Sequence, residues 1–216
     1  MRNFFLIILV FLLLSCCFTP ALAHVPYIER SDYSIEKPFY VWKMVEKSKA
    51  FYAWLEQTDD DFSLDIDVYK ITVGSRPVNI YLELIVPDVN GYYDDFVPWY
   101  AVLGPGLPEI THEVPFDIPK GYGGIIQENV PPGTTRESFY EPFGGKSYFK
   151  GPILDYNATV PGTYYIYCWD PYEQGGDYVL VIGKGEFFGP IDIIRAIINT
   201  PYIRQNKELH LPMQFL

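Results

Sequence analysis

Residues 163–182 read TYYIYCWDPYEQGGDYVLVI, two apolar runs joined by a stretch that holds Pro171, Gly175 and Gly176. Thr163 to Trp169 and Tyr178 to Ile182 are dominated by aromatic and β-branched residues and bounded by turn formers, which is the pattern of consecutive strands. Neither run alternates apolar with polar residues. Strands that are apolar on both faces belong in the middle of a sandwich, with other segments lying over them.

Working outward, a period of two recurs. Phe62, Leu64, Ile66 and Val68 alternate with Ser63, Asp65, Asp67 and Tyr69, which predicts a half-buried strand with its aspartates toward solvent. Val78, Ile80, Leu82, Leu84 and Val86 repeat the pattern before Pro87-Asp88. Residues 42–55 fit either a short helix or strands, and their aromatics favour strands. A helix is expected at Pro190 to Asn199: Pro190 suits the first helical position, Asp192 the first turn, and Pro201 lies just past the end. Ile191, Ile194 and Ile198 form one face of it, predicted to pack on the sandwich.

Between Leu103 and Pro161 the composition shifts to a Gly- and Pro-rich stretch that includes Gly104-Pro105-Gly106-Leu107-Pro108 and Val130-Pro131-Pro132-Gly133. Loops of this length are uncommon in compact domains. Phe116, Tyr122, Ile125, Phe139, Tyr148 and other apolar residues interrupt it, so an ordered insertion over 104–161, wrapped across the sandwich, is expected, and a binding surface is expected on it. The fold class that follows is mostly β: an antiparallel, jelly-roll-like β-sandwich over residues 24–189, then a short helix and tail over 190–216.

The blocks Asp65-Ile66-Asp67-Val68-Tyr69-Lys70-Ile71-Thr72-Val73, Val78 to Leu84, Gly162-Thr163-Tyr164-Tyr165-Ile166-Tyr167 and Gly176-Asp177-Tyr178-Val179-Leu180-Val181-Ile182 resemble bacterial pre-peptidase C-terminal domains. That resemblance implies a jelly-roll sandwich that accompanies secreted enzymes without being catalytic. Ala23-His24-Val25-Pro26, Gly104-Pro105-Gly106-Leu107 and Tyr140-Glu141-Pro142-Phe143 also resemble a group of exported prokaryotic proteins of uncharacterised role. Neither resemblance carries an active site onto this chain, so it implies fold and not function.

The first 23 residues read as an export signal. Arg2 supplies the positive end, Phe4 to Leu14 is an uninterrupted apolar run, and Pro20-Ala21-Leu22-Ala23 ends in a small-x-small cleavage pattern. Cleavage at Ala23/His24 is the expected outcome. Two alternatives stand beside it: Leu13-Leu14-Ser15-Cys16 resembles a lipobox that would place a lipid on Cys16, and Phe4 to Ala23 is long enough to anchor the chain uncleaved. The processed chain would keep 27 acidic residues against 15 basic ones and have no span of its own. Such a charge disfavours nucleic acid and anionic membranes as partners. Only Cys168 survives processing, inside an apolar run, and is expected to be a buried, inert thiol.

Catalytic signatures are scarce. There is no G-x-S-x-G, no H-E-x-x-H and no paired CxxC. Gly145-Lys146-Ser147 lacks the first glycine of a phosphate loop and reads as a turn. Asn157-Ala158-Thr159 is an N-glycosylation sequon, expected in a loop. Asp59-Asp60-Asp61 with Asp65 and Asp67 could offer oxygen ligands to calcium, though a solvated loop and strand edge accounts for them better. Tyr165, Tyr167 and Trp169 form a stripe that could stack on sugars, a role that core packing rivals.

One metal pattern depends on processing. If His24 becomes the N-terminus, its amine and imidazole, with His112 as partner, would form a copper brace of the kind found in copper oxidases on β-sandwiches. The expected function is therefore an exported, non-catalytic binding or surface-structural module for an extracellular glycan or protein, with a copper-binding protein or copper oxidase as the alternative.

Overall fold

The computed structural model describes residues 24–42, 44–58, 64–89 and 91–205. Ala23, Cys16, Asp59, Asp60 and Asp61 lie outside the described residues, so the expectations placed on them are not addressed by it.

Eleven strands are described: β1 (Val25–Ile28), β2 (Phe39–Tyr40), β3 (Lys49–Leu55), β4 (Ile66–Val73), β5 (Val78–Pro87), β6 (Trp99–Gly104), β7 (Gly123–Gln127), β8 (Ser138–Glu141), β9 (Lys146–Ala158), β10 (Gly162–Trp169) and β11 (Gly176–Ile182). They form a six-stranded sheet in the order β1-β3-β11-β5-β9-β8 and a five-stranded sheet in the order β2-β4-β10-β6-β7. The two runs that are apolar on both faces are the interior strands β10 and β11, as the pattern predicts. Pairing is antiparallel except at the edges, where β1 joins β3 and β2 joins β4 in parallel. A parallel partner cannot come from a tight hairpin. Both N-terminal strands therefore cross over before they reach their places.

Between the sheets lies a core that includes Phe51, Tyr69, Leu82, Tyr100, Ile166 and Leu180. Tyr69 and Tyr178 meet across it, their hydroxyl oxygens 2.9 Å apart. Buried phenols of this kind need a polar partner, and each supplies one for the other.

Several expectations are corrected. On β4 the side chains facing the inter-sheet core are those of Tyr69, Ile71 and Val73, whereas Ile66 and Val68 pack in a separate outer cluster beneath Phe116. Both faces of β4 are covered, so Asp67 is 1% exposed rather than solvated. The cover is the segment 105–122. Its Ile110, Val114, Phe116 and Tyr122 pack on the outer face of the five-stranded sheet, where Tyr167 and Trp169 are buried. Gly123 marks the close approach: a Cβ there would sit 2.1 Å from the Leu107 carbonyl oxygen. The rest of the expected insertion supplies β7, β8 and β9 with the turns between them. Asn157 accordingly stands exposed on β9, where its side-chain oxygen accepts a hydrogen bond from Asn79 Nδ2 at 3.1 Å, and not in a loop.

The helix runs from Pro190 to Gln205, beyond its expected end, with Pro201 inside it. Proline removes one backbone donor, but the last turn is held from outside. Ile203 is fully buried against Ala50, Tyr52 and Tyr148, and Arg204 Nε donates to the Phe143 carbonyl at 2.8 Å. The expected packing is inverted. Ile191, Ile194 and Ile198 are 72%, 57% and 61% exposed, while Asn199 faces the sheet and donates to the Pro26 carbonyl at 2.9 Å. No helix among the described residues is long and apolar enough to cross a membrane.

Candidate functional site

Three turns meet at one end of the sandwich: the chain after β3, the β5–β6 loop, and the β10–β11 turn. They enclose a cavity of about 490 Å³ bordered by Glu56, Gln57, Tyr92, Asp94, Asp95 and Gln174. Each wall is set by its own local residues. Asp170, 2% exposed, uses its carboxylate to gather the backbone N–H groups of Tyr172, Gln174 and Gly175 at 3.1, 2.7 and 3.2 Å. This Asx-type turn lets Glu173 occupy a positive φ of 60° and presents Gln174 at the rim. Gly176 allows the turn to press on the opposite loop: a Cβ there would lie 2.8 Å from both Phe96 and Tyr93 side-chain atoms.

The β5–β6 loop is anchored by Arg136. Its guanidinium donates to the carbonyls of Phe96, Tyr93 and Asp94 at 3.0, 2.5 and 3.2 Å and lies 4.1 Å from the centre of the Phe149 ring. Phe96 and Tyr93 are buried as the loop's apolar foot. Tyr92 is 52% exposed and packs edge-on against Tyr93, ring centres 4.8 Å apart at 89°. The result is an accessible aromatic ring, carboxylates and amides on turns that are already fixed. Glu56 and Gln57 also border a second cavity of about 540 Å³ that reaches Asp32, Glu36 and Asp65, so the depression continues as a groove.

The residues singled out from sequence are placed elsewhere. His24 is hydrogen-bonded through Nδ1 to the Ser48 hydroxyl, and burial lowers its pKa. It lies beside the helix, on the six-stranded sheet's side. His112 is exposed in the segment that covers the outer face of the five-stranded sheet. The structure does not bring the two imidazoles together, because the sandwich stands between them. Among the described residues no group of three or more His, Cys, Asp or Glu side chains is arranged to hold a metal ion. Tyr167 stacks under Phe116 at 4.3 Å between ring centres and Trp169 meets it edge-on at 5.3 Å, so both are closed to a sugar. Cys168 is fully buried and its thiol is pushed well up, first by burial and then by Asp67.

Sequence reasoning missed Tyr92, Asp94 and Asp95. Their signal is the run Gly91-Tyr92-Tyr93-Asp94-Asp95, where tyrosines and aspartates fill a turn that needs neither.

The chain is a sandwich of two mixed sheets that carries a polar groove on the turns at one end. In structure the chain is similar to the pre-peptidase C-terminal domain of a collagenase from Bacillus anthracis, at 14% identity and a TM-score of 0.34, over 73% of this chain and 94% of that one. No protein-family model matches the chain, and no curated protein matches it.

Proposed function

We propose that the chain is an exported, non-catalytic binding module that takes an extracellular glycan of neutral or amino sugars in the groove of Tyr92. The observation that carries this reading is one half-exposed tyrosine ring among carboxylate and amide side chains on a braced loop. A pyranose offers an apolar C–H face to an aromatic ring and vicinal hydroxyls at its edge. Ionised carboxylates accept from those hydroxyls, and Gln57 and Gln174 can both donate and accept. The carboxylates of Glu56, Asp94 and Asp95 disfavour anionic sugars by like-charge repulsion. A groove longer than one cavity suits an oligosaccharide rather than a monosaccharide.

The purified protein is expected to bind neutral and amino-sugar oligosaccharides on an array and to ignore sulfated and uronic ones. Tyr92→Ala should weaken that binding roughly tenfold, equivalent to about 1.4 kcal/mol, with the unfolding midpoint unchanged. Indifference to every oligosaccharide would remove the reading, as would binding that survives Tyr92→Ala intact.

A further inference from the structure

The helix wears its polar side inward. Arg195, Asn199 and Ile203, spaced by four, form the face toward the sheet: Arg195 sits 4.0 Å from the centre of the Tyr27 ring, Asn199 bonds the Pro26 carbonyl, and Ile203 is fully buried. Outward point Ile191, Ile193, Ile194, Ile197 and Ile198, all between 52% and 72% exposed, with Phe187 and Phe188 at 43% and 40% leading into them. A helix on a globular protein in water ordinarily shows the reverse. Contiguous apolar patches beyond a few hundred Å² mark contact surfaces on soluble proteins.

Two observations say what covers this one. First, His24 lines an apolar groove of about 640 Å³ together with Phe143, Phe188, Ile193 and Ile197. Immediately upstream in sequence is Phe4 to Leu14, eleven apolar residues without a charge. The residues between Leu14 and His24 can span no more than about 30 Å. Wherever the apolar run is held, the isoleucine face is tethered close by, and the whole uncharged stretch Phe4 to Ala23 has the length of a bilayer span.

Second, the exposed isoleucine face carries no free acidic group although the chain as a whole is acidic, with a formal net charge of −11, and its two arginines are engaged with Tyr27 and with the Phe143 and Pro142 carbonyls. Asp192 is paired with Lys47, and from residue 193 to 205 the only charged side chains are Arg195 and Arg204. No carboxylate on that stretch would be pushed against phosphates.

We propose that the uncleaved alternative holds, so that residues 1–23 stay in the membrane in place of being removed at Ala23/His24, and that the isoleucine face of Pro190–Gln205 lies on the surface of the same bilayer, docking the sandwich against lipid. The contact is apolar, so it needs no anionic lipid. It is independent of the glycan groove, which is built from other turns.

The test uses the full-length chain with Cys16→Ser and Cys17→Ser, reconstituted in phosphatidylcholine vesicles. An environment-sensitive fluorophore is attached at Ile194→Cys or Ile197→Cys; Ile153→Cys on β9, also 52% exposed, is the control. These sites are on the surface, so the substitutions leave the core intact, and buried Cys168 stays unlabelled in the native protein. The fluorophores at 194 and 197 are expected to shift to the blue and to be quenched several-fold by spin-labelled lipid, while the one at 153 reports water. Water-like, unquenched emission at 194 and 197 would overturn the proposal. Oxidative cross-linking of the unlabelled Ile194→Cys variant to a second copy of itself, without lipid quenching of the labelled one, would overturn it too and would make the face a dimer interface.

Discussion

Phe116→Ala is expected to cost about 3–5 kcal/mol of folding stability, the range for emptying a buried aromatic site. The ring is 8% exposed, stacked on Tyr167 at 27° and set edge-on to Trp169 at 80°. It holds 105–122 down over two large aromatics of the central strand β10. Its loss would open that outer cluster to water, and a domain's whole stability is only about 5–15 kcal/mol. The change should also appear locally. Lys120 lies in the covering segment, in a turn where Tyr122 N–H donates to the Pro119 carbonyl at 3.0 Å. Trypsin is expected to cut after Lys120 slowly in the parent protein and much faster in the variant. Equal cutting rates and equal denaturation midpoints would show that 105–122 contributes nothing to the core.

The second large effect is a fall in stability as pH rises. Glu29 and Asp67 are 4% and 1% exposed. Asp67 accepts hydrogen bonds from Tyr178 Oη at 2.5 Å and from the Tyr33 backbone N–H, and Glu29 Oε2 accepts one from the Trp54 backbone N–H at 3.2 Å, while Glu29 Oε1 has no partner. Burial raises both carboxyls well above the ordinary carboxylate range; Asp67 further raises Glu29, and Asp65 and Asp32 act on each in the same sense. The other titratable groups around them are Tyr33, Tyr69, Tyr178 and Cys168, all pushed upward and neutral near pH 7. The folded state thus holds protons that the unfolded chain gives up near pH 4. Stabilisation is complete below that value and is lost as pH rises through the folded-state values, at up to about 1.4 kcal/mol per pH unit for each proton held. His24, lowered by burial, works in the opposite sense at mildly acid pH, so the comparison must be with a variant that keeps it. Chemical denaturation between pH 5 and 7.5 should give a falling midpoint for the parent and a flatter profile for Glu29→Gln with Asp67→Asn. Parallel profiles would mean that neither carboxyl holds its proton in the fold.

The interior strands are legible in the sequence because Tyr164 to Trp169 and Tyr178 to Ile182 are apolar on both faces, a property local to each strand. The orientation of β4 is not. Ile66 and Val68 look like the core face until a second layer covers them, and that layer comes from residues 105–122, far along the chain. Asp67 reads as solvent-facing for the same reason. Pro201 marks a helix end by its missing N–H, yet the burial of Ile203 and the bonds of Arg204 carry the helix past it. The groove is the least legible feature. Gln57, Tyr92 and Gln174 sit on three separate turns, and only the strand order brings them to one end.

That strand order also fixes when the fold can close. β3 and β5 touch only through β11, and β4 and β6 only through β10. Until residues 162–182 have been synthesised, each sheet lacks the strand that bridges its two parts and is left as separate pieces. Pairings this distant in sequence form slowly, since the loops between them must close first. For a chain exported as proposed above, this order is protective: a polypeptide that cannot complete its sandwich early stays threadable through a translocation channel, and the strands that commit it to a compact shape leave the ribosome after the strands they join.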